Sequence, residues 1–268
     1  MDLLTVVHTN DGVLSLMQRK GTMPLFLHFL RIGTKSVFLP KSKTDRFLGY
    51  KVNVFDYRSF AMLFLEVFMK EDYKVKLDRE DPNIIDCGSN IGMSILYFKK
   101  EYPNAKIWGF EPLPENYNIL EENIKQNNLN DVVLSPFAVG NKTEMVKLYS
   151  TDNKSNISSL GASTLKTSGV ETPINVMQVK LSLLIKTIGT VDLLKLDIEG
   201  SEWNVIMELC KSKEIKRVKN IICEYHFNSD NQERLLDIFL KTLRDNGFIY
   251  DITIRNGINN VVRARRKK

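Results

Sequence analysis

The residues with the clearest capacity for chemistry lie at 83–94, Asn-Ile-Ile-Asp-Cys-Gly-Ser-Asn-Ile-Gly-Met-Ser. Their spacing predicts an apolar strand that ends in Asp86 and turns through Gly88, Ser89, Asn90 and Gly92 into a helix. Gly88 lets the backbone approach a ligand closely, Gly92 allows a tight helix entry, and the helix start presents N–H groups without intrahelical partners. A dinucleotide fingerprint would read G-x-G-x-x-G and aim bare amides at a pyrophosphate. Here a carboxylate precedes the first glycine and Asn90 replaces the second. An anion beside Asp86 would be repelled, so the turn suits a ligand with a cationic end, such as the amino group and sulfonium of S-adenosylmethionine. Glu111, at the end of the next strand, is placed to accept hydrogen bonds from both ribose hydroxyls. Alone, the turn also fits a helix capped by its Asp. Glu111 is what favours the ligand.

A second group of polar residues follows the later strands. Asp197 ends an apolar run, with Glu199 on the same loop, at the edge of an open α/β sheet where ligands bind beyond the carboxyl ends of strands. Side-chain alternation puts Lys195 and Asp197 on one face, and Glu224 and His226 on a shared face of the neighbouring strand. Four polar groups thus converge, and a carboxylate or histidine there can take the proton of an alcohol. Other roles stand beside these. Asp197 can hold a cofactor's amino group or cap the next helix, Lys195 can form a buried pair with Glu224, and His226 can be a satisfied structural histidine. Asp197 and Glu224 are also where magnesium would polarise an acceptor oxygen. Neighbouring carboxylates without an ion are commoner, and no metal ligand is assigned.

The elements that must position these residues begin at about residue 81. Short apolar runs alternate with helix-period stretches, predicting strands at 83–87, 106–110, 132–135, 193–196, 220–224 and 248–253, with a basic strand at 260–265. Tyr117, Leu120 and Ile124 mark one buried helix face, and Leu236, Phe239 and Leu243 another, the latter stopped by Asn246-Gly247. Between the third and fourth core strands, 144–150 and 176–179 read as a small β-element around a polar loop at 151–172, where a substrate lid would sit. Residues 1–80 differ, with helices at 23–32 and 60–69 and short strands at 36–39 and 51–55. They predict a cap on the domain formed by 81–268.

At 268 residues, 43% hydrophobic and 26% charged, the chain is long enough for a sizeable core. No run reaches the span of about 18 apolar residues that a transmembrane helix needs, and the N-terminus has no basic leader. Three cysteines, Cys87, Cys210 and Cys223, make neither a disulfide framework nor a zinc pattern, so a reducing cytoplasmic setting is expected. Arg263, Arg265, Arg266, Lys267 and Lys268 carry five of the six net positive charges. The body is nearly neutral, the basic end is expected to be solvated, and no nucleic-acid partner is expected.

The segments I-I-D-C-G-S-N-I-G, W-G-F-E-P-L-P-E-N-Y-N-I-L-E-E-N-I and D-L-L-K-L-D-I-E-G-S-E-W together resemble the FkbM-type methyltransferases over roughly residues 80–226. The resemblance implies an α/β fold of class I, a Rossmann-like doubly wound sheet of seven strands with the last antiparallel. It implies S-adenosylmethionine as cofactor, S-adenosylhomocysteine as product, and O-methylation of a sugar, glycan or glycosylated metabolite. It places Asp86, Gly88, Ser89, Asn90 and Gly92 around the methionine part of the cofactor. Glu111 and Pro112 then lie at the ribose, and Phe137 and Ala138 near adenine, although Phe137 can equally be a core aromatic. Three other functions are weighed. A nucleic-acid methyltransferase would carry an N-P-P-Y-type loop where Asp197-Ile198-Glu199-Gly200 stands, and a nicotinamide enzyme would carry G-x-G-x-x-G. A non-catalytic partner subunit would not need Asp86, Glu111 and Asp197 intact. The oligomeric state is not encoded in any of these features.

Overall fold

The computed structural model describes residues 23–39, 43–150, 162–163, 173–226, 232–254 and 259–267. In chain order the elements are α1 (Met23–Phe38), β1 (Thr44–Phe47), β2 (Tyr50–Asn53), α2 (Tyr57–Phe64) running into a π-helical turn (Leu65–Met69), β3 (Asn83–Cys87), α3 (Met93–Glu101), β4 (Lys106–Phe110), α4 (Pro114–Gln126) and β5 (Val132–Ser135). There follow β6 (Ala138–Val139), β7 (Glu144–Ser150), β8 (Ala162–Ser163), β9 (Pro173–Val179), α5 (Leu181–Ile188), β10 (Leu193–Leu196) and α6 (Glu202–Lys211). The chain ends with β11 (Asn220–His226), α7 (Gln232–Asp245), β12 (Phe248–Ile254) and β13 (Asn259–Arg266).

Seven strands form the main sheet in the order β12-β13-β11-β10-β3-β4-β5. All are mutually parallel except β13, which runs antiparallel to β11 and β12. Central position explains why β10 is buried at every residue and why β3 reads as an apolar run broken only by Asp86. The winding reverses at β3, outward through β4 and β5 on one side and through β10 and β11 on the other. Crossover helices therefore cover opposite faces, and a crevice opens between β3 and β10 beyond their carboxyl ends. A smaller sheet, β6-β9-β7-β8, stands beside it. Of the loop at 151–172, Ala162–Ser163 lies in β8, and the expected lid otherwise falls outside the described residues.

The N-terminal elements share one apolar core with the sheet. Phe47, Phe60, Phe64 and Phe68 interlock, with Phe64 and Phe68 stacked at 5.6 Å, and Phe68 meets Tyr97 of α3 edge-on at 5.7 Å. Buried Asn123 on α4 ties in β2, accepting from the Asn53 N–H at 2.6 Å and donating to the Asn53 and Ile91 carbonyls. The strand expected at 36–39 is not formed, because α1 continues to Phe38. The Thr34 and Ser36 hydroxyls bond back to the Arg31 and Gly33 carbonyls within the helix, and Lys35 reaches buried Asp45 at 3.3 Å. The strand expected at 51–55 lies at Tyr50–Asn53, set by its hairpin register with β1.

The basic end is not a solvated tail, since it forms β13 between β11 and β12. Arg266 donates to the carbonyls of Val218 (2.8 Å), Asn246 (2.9 Å) and Ile215, and its guanidinium lies 4.3 Å from the Phe248 ring centre.

Candidate active site

The carboxyl ends of β3, β4, β10 and β11 open onto a cleft. Its walls include Gly88, Ser89, Asn90, Glu111, Pro112, Phe137, Ala138, Lys195, Asp197, Glu199, Glu224 and His226. Asp86 and Gly92, also expected at the ligand, stand behind the wall.

Gly88 has φ +80°, and a Cβ there would lie 1.8 Å from the Asp197 carbonyl oxygen. The close approach it permits is thus to the backbone leaving β10, which brings the first strand loop and the Asp197 loop together. Gly92, at φ 94°, starts α3 in a left-handed conformation that spares L-residues a steric clash. Asn90 is also left-handed, at φ 49°, a region asparagine tolerates. Its N–H donates to Glu111 Oε2 and the Leu113 N–H to Glu111 Oε1, both at 2.9 Å. Each carboxylate oxygen keeps a lone pair for a further donor. Burial pushes the Glu111 carboxyl up to about 7, while the two backbone bonds oppose that rise.

Asp86 is fully buried and accepts from Ser94 Oγ at 2.6 Å. Its Oδ1 faces Lys195 Nζ at 3.0 Å as an ion pair off hydrogen-bonding angle. Lys195 in turn donates to the Gly88 carbonyl at 2.7 Å, lies 3.6 Å from Asp197 Oδ2 and sits 5.1 Å from the Tyr73 ring centre. Burial works against its charge, but Asp86 and Asp197 outweigh that and hold the ammonium above its ordinary value. The buried ion pair expected between Lys195 and Glu224 is instead made with Asp86, at the base of the glycine turn, because the parallel register of β10 and β3 sets Lys195 beside Asp86.

In the same cleft, Asp197, Glu199 and His226 each bring a ligating atom within 4.8 Å of the others. His226 Nε2 is 3.5 Å from Glu199 Oε2 and 3.9 Å from Asp197 Oδ1. His226 Nδ1 meets Glu202 Oε1 at 2.9 Å, and Glu202, fully buried at the start of α6, also accepts from the Ile198 and Gly200 N–H groups. Burial lowers the tendency of His226 to take a proton, but Glu202, Glu199 and Asp197 reverse this and push it up to about 10. Burial likewise pushes Glu199 up to about 7.

Strand alternation brought together Lys195, Asp197, Glu224 and His226 as expected, but missed three further groups. Tyr73 donates to Asp197 Oδ2 at 3.0 Å, and burial, then Asp197, hold its phenol well above the usual value. Met62, Leu63, Glu66 and Val67, from α2 and the π-turn, also line the cleft. π-turns inserted into helices often mark functional sites. Glu202 lay within the D-I-E-G-S-E-W segment, and its place one helix turn beyond the strand end was the available signal.

A sheet of this order, with a glycine turn after the first strand and an acidic residue ending the second, defines a class I methyltransferase. The chain belongs to the FkbM methyltransferase family, whose domain model matches residues 86–250. Among curated relatives, Methyltransferase 1 of Beauveria bassiana (strain ARSEF 2860) is 29% identical over 180 residues, spanning 55% of this chain and 72% of that protein. Methyltransferase sdnD of Sordaria araneosa is 26% identical over 214 residues, spanning 68% and 80%. The crystal structure of M. jannaschii TYW2 in complex with AdoMet gives a TM-score of 0.43 at 16% identity, over 84% of this chain and 86% of that one. No helix among the described residues is long and apolar enough to cross a membrane.

Proposed function

We propose that this methyltransferase binds S-adenosylmethionine in the cleft and transfers its methyl group to a hydroxyl oxygen, on a sugar of a glycan or glycosylated metabolite. The observation that carries this reading is one cleft lined by two kinds of group: buried Glu111 with spare acceptor lone pairs beside the Asn90 turn, and the gathered side chains of Asp197, Glu199, Glu224 and His226. The residues fit the cofactor. Glu111 would take the ribose hydroxyls, Pro112, Phe137 and Ala138 the adenine side, and Gly88, Ser89 and Asn90 the methionine side. When bound, it supplies a methyl carbon already activated by the sulfonium.

The protein's share is then positioning, worth up to ~7–11 kcal/mol in favourable cases, together with removal of the acceptor proton. Asp86 and Lys195 fix the Gly88 carbonyl, so they act on the cofactor loop through the backbone. Tyr73 holds Asp197 in place, and Asp197 and Glu224 are the carboxylates that take the hydroxyl proton. The lining sets Glu66, Tyr73, Gln178, Glu199 and Glu224 among apolar side chains such as Met62, Leu63, Val67 and Leu148, a mixture that suits the hydroxyls and apolar faces of a sugar ring. All three cysteines are free, and Cys87 and Cys223 are buried, which supports a reducing, cytoplasmic setting.

Incubation with methyl-labelled S-adenosylmethionine and a panel of oligosaccharides, phenols, carboxylic acids and RNA tests the acceptor class. The reading predicts an alkali-stable methyl ether on a sugar. Label confined to RNA bases or to an alkali-labile ester would overturn it.

A further inference from the structure

Glu199 and His226, gathered beside Asp197, have no part in cofactor binding or in proton removal by Asp197 and Glu224. We propose that Asp197, Glu199 and His226 form a binding site for one divalent first-row cation such as Mn²⁺ or Zn²⁺. Two carboxylates and an imidazole are hard and borderline donors suited to such ions, whereas Mg²⁺ favours oxygen alone. Ligands held ~2.1 Å from a common ion stand about 3.0–3.4 Å apart. His226 Nε2 stands 3.5 Å from Glu199 and 3.9 Å from Asp197, and all three ligand atoms lie within 4.8 Å of one another, so side-chain shifts of roughly 0.5–1 Å would close them on an ion.

A second feature lies outside the three ligands. Metal-ligating histidines almost always give their other ring nitrogen to a carboxylate or carbonyl, which fixes the tautomer and the ring plane. His226 Nδ1 is engaged in this way by Glu202, whose carboxylate is only 1% exposed and is locked by the Ile198 and Gly200 N–H groups. Nε2 is left aimed at the two carboxylates. Tyr73 steadies the Asp197 side through Oδ2, leaving Oδ1 on the His226 side. The three ligands come from the end of β10, its loop and the end of β11, and the Asp197 N–H donates to the Cys87 carbonyl at 3.1 Å, so packed strand ends hold their backbones in place.

The ion would hold the acceptor oxygen beside the cofactor, with Glu224 on the same cleft wall to take the proton. That role rests on the methyltransferase reading, but the binding site itself does not.

The test uses the full chain, stripped with a chelator and titrated with Mn²⁺, followed by paramagnetic resonance and calorimetry, with Zn²⁺ and Mg²⁺ as competitors. S-adenosylhomocysteine affinity is measured on the same samples. One Mn²⁺ per chain is expected, displaced by Zn²⁺ more readily than by Mg²⁺. Glu199→Gln and His226→Ala should each weaken it ~10- to 100-fold or more while S-adenosylhomocysteine binding changes less than about threefold. Glu199→Gln alters a partly exposed side chain, so it reports on the site even where His226→Ala disturbs folding. Absence of saturable Mn²⁺ or Zn²⁺ binding by folded wild type, or equal binding by Glu199→Gln, would overturn the proposal. Loss of S-adenosylhomocysteine binding by metal-competent wild type would overturn the cofactor reading and leave the metal site standing.

Discussion

In the proposed cofactor site Glu111 carries the most weight, because it combines burial with two backbone bonds and a lone pair on each oxygen for a further donor. Replacing it by Gln would remove the charge from the proposed ribose contacts. Charged hydrogen bonds contribute ~1.5–3 kcal/mol, so S-adenosylhomocysteine should bind Glu111→Gln roughly 10- to 150-fold more weakly by calorimetry. Burial also couples Glu111 to stability. Its folded value near 7 lies above the ordinary 4.5, so its contribution is full below about pH 4.5 and is lost as pH rises through about 7. The ligand-free wild type should therefore lose melting temperature relative to Glu111→Gln between about pH 5 and pH 8, and a gap independent of pH would contradict this. Tyr73 has a different role. Tyr73→Phe removes only the hydrogen bond that holds Asp197, so turnover should fall roughly 10-fold with S-adenosylhomocysteine affinity unchanged. A parallel loss of cofactor binding would show that Tyr73 supports the whole cleft instead.

The strand-end loops place these groups, and the tightest junction is between β3 and β10. A methyl group at Gly88 would meet the Asp197 carbonyl in a left-handed backbone. Gly88→Ala should therefore lower the melting temperature by roughly 10 °C or more, through overpacking and strain together. Gly189, also left-handed at φ +87° but with open space around its Cβ, isolates the backbone cost. Gly189→Ala should lower it only about 2–4 °C. Core elements were legible because buried parallel strands write themselves as apolar runs, and β3, β4, β5 and β10 lie at the expected residues. The reason for Gly88 was not legible, since its neighbour across the junction is more than a hundred residues away in sequence. The end of α1 was likewise obscured by Gly33 and Thr34, which read locally as a stop although the buried face of Phe29 and Ile32 carries the helix on.

On the scale of the whole molecule, both ends of the described chain complete the site. Arg263 on β13 donates to the Asp72 carbonyl at 3.0 Å, next to Tyr73, so the basic strand supports the tyrosine that holds Asp197. Arg266 closes the sheet edge through three carbonyls, and Arg266→Ala should cost about 2–4 kcal/mol in urea unfolding, where a solvated tail would cost nothing. Gly88, Ser89, Asn90, Glu111, Pro112, Phe137 and Ala138 line the cleft and were legible because they sit in short motifs, whereas Asp86 and Gly92 stand behind its wall. Tyr73 and Glu66 join the cleft through the aromatic packing of residues 47–98 rather than through any motif. Whether Glu111 and the Asn90 turn bind S-adenosylmethionine is read out by thermal unfolding with S-adenosylhomocysteine at about 100 times its dissociation constant, beside NAD and Glu111→Gln. Stabilisation of ~2.7 kcal/mol is expected, a rise of roughly 5–11 °C that is largely lost in the variant and absent with NAD. A folded protein that shows no shift, or the same shift in Glu111→Gln, would contradict it.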